Sequence, residues 1–198
     1  MAIAINGSGT VTGISVGGLP DGIVDTDMLA ANAVTAAKTT VAGITMADQW
    51  RLNTDLQLTQ TTAVNITANW ERADTYGFGQ LGTGMTESSG IFTFPSTGIY
   101  LIRFQGSTYT GSGASVQNRI RITTTTDNSN YNTVSTGFFS HYGSAVSSSG
   151  SAETQFDVTN TSTHKVRFQY YTQGSDVKFI TDTTRNITFA TFIRLGDT

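Results

Sequence analysis

A chain of 198 residues has room for one sizeable all-β domain and an appendage. Its 11 Lys and Arg stand against 14 Asp and Glu, and only 13% of residues are charged. That balance excludes a basic field for nucleic acid and a polybasic stretch for an anionic membrane. There is no cysteine, so a reducing cytoplasm is the expected site of assembly. The 36 threonines and 18 serines, with 21 glycines and 2 prolines, favour many strands joined by polar turns. Residues 1–13 lack the basic and long apolar regions of a signal peptide. No run approaches the ~20 apolar residues of a membrane span, so no membrane insertion is expected.

Residues 1–46 form an arm without an aromatic residue, rich in Gly, Ala, Val and Thr. Ala2–Ile5 and Thr10–Val16 can be short extended pieces, and Leu19-Pro20-Asp21-Gly22 is a turn signal. Asp25 or Thr26 can cap a short alanine-rich helix over Asp27–Lys38. Such a helix is marginal alone, so the arm needs a partner. Residues 47–59 read as a junction, alternating apolar and polar positions around Trp50 and Leu56–Leu58.

From residue 60 to 198 the pattern is strand after strand. The clearest are 90–94, 98–104, 118–122, 164–170, 176–180 and 187–193. Turn clusters at 127–130, 147–150 and 173–175 separate them. Regular short strands with no interleaved helix indicate an all-β sandwich or jelly roll. Ile120 and Ile122 face the core while Arg119 and Arg121 face out, and Thr123–Thr126 reads as a strand edge. The aromatics Trp70, Tyr76, Phe78, Phe92, Phe94, Tyr100, Phe104, Phe168, Tyr170, Phe179, Phe189 and Phe192 read as core.

No reactive constellation emerges. His141 and His164 are the only histidines, and neither lies in a catalytic motif. The first reads as a packing or loop residue, the second as a turn residue at a strand entrance. The acids Glu71, Asp74, Glu87, Glu153, Asp157, Asp176 and Asp182 are few and show no pairing. Asp127, Asn128 and Asn130 match a hard-cation loop in composition only and read as an asparagine-rich turn. The expectation is a non-enzyme with no catalytic residue, no cofactor and no metal. The segments 123–132 and 144–151, rich in Ser, Thr, Asn and Gly, read as distal loops that present Tyr131 and Tyr142 to a ligand.

The run Gly90-Ile91-Phe92-Thr93-Phe94-Pro95-Ser96-Thr97-Gly98-Ile99-Tyr100-Leu101-Ile102 resembles the early signature of the complement/tumour-necrosis-factor jelly-roll superfamily. Thr188–Leu195 resembles its closing core strand, and Phe156–Val158 with Lys165–Phe168 sits where the family has a strand pair. The resemblance implies a homotrimer, with Tyr100, Phe168, Tyr170 and Phe192 as candidates for the threefold axis. Residues 14–25, 29–38 and 47–52 resemble the collar segments of tailed-bacteriophage fibre and virion proteins. This implies a virion-attachment and trimerisation arm carrying Ile14, Val16, Leu19, Ile23, Leu29 and Val34, and a knob at the virion surface. Implied partners are other virion proteins (tail, baseplate or major capsid protein) and a host-surface glycan. A short tail fibre, a capsid decoration (cement) protein and a lectin-like module of cellular origin are the functions weighed.

Overall fold

A computed structural model describes residues 4–5, 11–12, 43–58, 61–112, 116–174 and 176–198. The chain divides into two units, 1–42 and 43–198. In the first, β1 (Ala4–Ile5) pairs antiparallel with β2 (Val11–Thr12), Ala4 opposite Thr12. The expected helix over 27–38 and the six attachment residues from Ile14 to Val34 lie outside the described residues.

The second unit is an all-β sandwich. Its strands are β3 (Met46–Leu52), β4 (Leu56–Leu58), β5 (Val64–Asn65), β6 (Trp70–Arg72), β7 (Thr86–Ser88) and β8 (Ile91–Thr93). The long strands follow: β9 (Gly98–Thr110), β10 (Val116–Thr125), β11 (Asn132–His141), β12 (Val146–Val158) and β13 (Lys165–Thr172). β14 (Val177–Phe179) and β15 (Phe189–Gly196) close the chain. One antiparallel sheet runs β4-β14-β9-β15-β3-β6, with β12 also on β9. The other runs β11-β10-β13-β8-β7, with β5 also on β13. At one end of the sandwich β9 passes to β10, β11 to β12 and β13 to β14, each crossing between sheets. At the other, β8 passes to β9 and β12 to β13, while β10 turns back into β11. This is jelly-roll winding.

Strict alternation decides what each sheet buries. Along β9, Tyr100, Ile102 and Phe104 point inward and are fully buried, while Ile99, Leu101 and Arg103 point out. Along β13, Val166, Phe168 and Tyr170 do the same. Between the sheets the aromatic rings interlock in edge-to-face and tilted pairs. Phe92 meets Trp70 at 5.1 Å and Phe192 at 5.2 Å, and Phe104 meets Phe168 at 4.7 Å. Trp70 keeps its indole N–H satisfied on the Ile66 carbonyl at 3.1 Å.

Several sequence expectations change here. Residues 47–59 are no junction: β3 lies between β15 and β6 inside the first sheet, because Leu52 and Met46 are needed in the core. The supposed turn at 147–150 lies inside the first half of β12, which pairs with β9 from Val146 to Val158. Its small side chains are a packing requirement. A Cβ on Gly150 would stand 2.4 Å from the Phe139 ring, and one on Gly137 would stand 2.3 Å from the Ser151 carbonyl. The segment 123–125 is no edge, since β10 lies between β11 and β13 and these threonines are buried. Phe156–Val158 and Lys165–Phe168 belong to different sheets and are not a hydrogen-bonded pair. Tyr76 is 83% exposed, and Phe189 points out, half-buried.

One buried charge organises the edge of the first sheet. Asp48 is 1% exposed and accepts from the amides of Gln49 and Met85, the Trp50 indole and the Arg72 guanidinium, all at 2.8–3.2 Å. Arg51, fully buried, is held by Glu71 at 2.7 Å and Asp74 at 3.1 Å. These contacts pin the 71–85 segment onto β3.

Candidate binding faces

The sandwich offers two sheet faces and two loop ends. On the first sheet, the register sets Leu101 beside Ile193 and Arg103 beside Thr191. Across the other edge of β9, Arg103 stands opposite Glu153. Gln49 lies beside Thr191 on β3. These side chains, with Phe189, line a shallow hollow of about 340 Å³. The face is therefore aliphatic and aromatic at its centre, with one cation and one anion. Among the described residues neither Arg103 nor Glu153 closes an ion pair within the chain. The apolar side chains of this row, Leu101, Phe189 and Ile193, are each half-buried and face outward.

The four side chains expected at a threefold axis are elsewhere. Phe168 and Phe192 are fully buried, Tyr100 is buried on Ser96 and Tyr170 is 5% exposed, all between the sheets of one chain. On β9 and β15 the opposite phase faces out, carried by Leu101, Phe189 and Ile193.

Tyr131 and Tyr142 do not share a tip. Tyr131 precedes β11 and Tyr142 follows it, so a ten-residue strand separates them. At ~3.4 Å per residue that is about 30 Å. Tyr142 is 83% exposed. Tyr131 is partly covered: the Arg167 guanidinium lies 3.8 Å from its ring centre, and burial pushes its phenol up, against the Arg167 charge.

The remaining polar candidates are structural. Asp127 accepts from the Asn130 side chain and amide, the Ser129 amide and the Thr125 hydroxyl, which holds its carboxyl well below the usual range. With its lone pairs used locally, the loop is an Asx turn. Asp182 is held down by Thr184 and then Arg185 in the same way. Glu71 and Asp74 serve Arg51, and Glu87 accepts from the Gly90 amide at 2.6 Å. Asp176 accepts from Ser112. Glu153 and Asp157 share one side of β12, four residues and so about 13 Å apart along the strand, wider than a glycosidase pair. His141 is 1% exposed, with Thr108 on one ring nitrogen and Asn118 on the other. His164 packs at the entrance of β13 between Thr159 and Thr163. Among the described residues no three His, Cys, Asp or Glu come together to hold a metal ion.

Comparison with solved structures gives the fold a type. The sandwich is similar to Eiger TNF from S. frugiperda, with a TM-score of 0.55 at 15% identity over 77% of this chain and 93% of that one. Murine APRIL at pH 8.5 is similar at a TM-score of 0.52 and 13% identity, over 76% of this chain and 98% of that one. The pH 5.0 form of murine APRIL gives a TM-score of 0.53 at 13% identity, with the same coverage. No known family pattern and no curated protein matches the sequence. At these identities the likeness is one of fold: a jelly roll of the tumour-necrosis-factor type.

Proposed function

We propose that this protein is a non-enzymatic homotrimeric knob at the surface of a bacteriophage particle, a short tail fibre that recognises the host surface. The observation that carries the assembly is the outward face of the first sheet. Leu101, Phe189 and Ile193 form an apolar strip flanked by Arg103 and Glu153. Three copies packed through it around an axis cover that strip and bring Arg103 of one copy to Glu153 of the next. Each large apolar side chain so buried contributes roughly 1.5–3 kcal/mol. The same assembly gives the arm the partners its composition requires.

The virion setting is supported by the collar-like segments 14–25, 29–38 and 47–52. Binding without catalysis is supported by the acids, each tied to a structural partner or standing alone. Other virion proteins receive the arm, and assembly takes place in the host bacterial cytoplasm. The test is a particle lacking this protein, compared with the complete one for host adsorption and for survival on heating. The proposal expects adsorption to be lost with heat survival intact. Intact adsorption with heat-fragile heads makes it a capsid decoration protein instead.

A further inference from the structure

The outward face of the second sheet collects cations that no ion pair among the described residues balances. β10 turns Arg119 and Arg121 outward, and β13 turns Arg167 and Lys165 outward. The register sets Arg119 beside Tyr171, Arg121 beside Gln169, Thr123 beside Arg167 and Thr125 beside Lys165. The charges thus follow one another two residues at a time, in a row of about 20 Å at ~3.3–3.4 Å per residue. No Asp or Glu occurs on β10, β11 or β13. Among the described residues none of the four cations forms an ion pair.

Aromatic rings hold this row in place. The Arg119 guanidinium lies 4.7 Å from the Tyr171 ring centre and 5.1 Å from that of Phe138, which is itself 62% exposed. Arg167 lies on Tyr131. Stacking fixes the guanidinium plane. The Arg119 Nε and Nη2 donate to the Gln117 side-chain oxygen at 3.2 and 2.7 Å, which leaves its Nη1 to meet an anion. Polar atoms are also left over: the Arg167 Nε and the Tyr131 hydroxyl are buried without a hydrogen-bond partner. Arg121 makes no hydrogen bond within the described chain, whereas Lys165 is occupied by the Thr161 carbonyl at 2.7 Å.

We propose that this face binds an acidic polysaccharide, whose carboxylates are received by Arg119, Arg121 and Arg167. Its sugar rings lie against Phe138 and Tyr171, and its hydroxyls meet the Gln117 side-chain NH₂ and the Gln169 side-chain carbonyl, the atoms that Arg119 and Asn65 leave over. A line of like charges on a chain of net charge −3 is complementary to an extended polyanion and not to a point ligand. The occupant is not nucleic acid, because such domains carry a broad basic field with a pI above ~9, and this chain has a pI near 5.2. The face points away from the surface proposed for trimer packing. The binding claim rests on the sandwich alone; only the ligand's place on a host cell rests on the knob reading.

The test is calorimetry of the purified full chain with polygalacturonate, neutral dextran of matched length and a single-stranded oligonucleotide. Polygalacturonate should bind, and more weakly as salt rises. Dextran should not bind. Arg121→Gln and Arg167→Gln should each weaken uronate binding about tenfold, as expected for loss of one charge-assisted contact. Arg121→Gln removes no hydrogen bond or ion pair among the described residues, so an unchanged unfolding midpoint certifies that variant. Uronate binding that is absent, matched by dextran, exceeded by the oligonucleotide or unmoved in both variants overturns the site. Such a result leaves the knob reading to the adsorption experiment.

Discussion

Replacing Asp48 by Ala removes a carboxylate that five donors address, and the structure sets the cost. The Met85 amide at 2.8 Å and the Trp50 indole at 2.9 Å both lose their acceptor in a place water does not reach freely. A buried donor left without a partner costs about 1–3 kcal/mol. Arg72 loses its anion too, but its side chain is 37% exposed, so water takes over much of that loss. It also keeps the Met85 carbonyl. The sum is about 3–5 kcal/mol, in the range seen when one partner of a buried pair is deleted. Asp48→Asn should cost less, because its remaining carbonyl still accepts while its NH₂ confronts the other donors. Urea unfolding followed by tryptophan fluorescence, at one protein concentration, measures both. A loss below about 1 kcal/mol for Asp48→Ala, with an unchanged denaturant slope, refutes the view that this carboxylate fastens the 71–85 segment to β3.

Phe168→Ala opens a cavity where Phe92, Phe104, Trp70 and Phe192 converge, and should cost about 3–5 kcal/mol in the same assay. Asp127 and Asp182 have carboxyls held below their unfolded value of 3.8, so the stability they supply is present above about pH 4 and drains away as pH falls toward their folded values. Thermal melts of Asp127→Asn and Asp182→Asn should therefore show a shallower acid decline than the parent, and parallel curves would remove these turns from the acid response. Ile193→Asp places a charge in the centre of the outward face of the first sheet, and light scattering should show it as a single folded chain. An unchanged assembly in that variant would put the contact elsewhere.

How much of this was legible in the sequence varies element by element. β13 announces itself because bulky apolar residues alternate with polar ones, and β9 because it opens on a run of bulky apolar residues. β11 and β12 do not: Ser147, Ser149 and Ser151 look like a loop until Gly137 and Gly150 show that the strands approach too closely for larger side chains. The core of β9 and β15 was ambiguous by its own richness. Both phases are apolar, Tyr100 and Ile102 against Ile99 and Leu101, and only the second sheet decides that the aromatic phase fills the interior. The aromatic phase therefore lies in the core, and the aliphatic row of Leu101 and Ile193 faces out half-buried. Asp48 gave no signal, since its donors Arg72 and Met85 stand 24 and 37 positions away. Arg119 and Arg121 were correctly turned outward by alternation, but the two strands that align them with Arg167 are joined only through β11 and β12.

The account stands or falls first on assembly, and the most direct measurement is the mass of the full chain by sedimentation equilibrium at micromolar concentration. It predicts a single species of three times the 21.1 kDa chain, reduced to one chain by Arg103→Glu and restored when Glu153→Arg is added. A mass of one chain for the parent protein would contradict it.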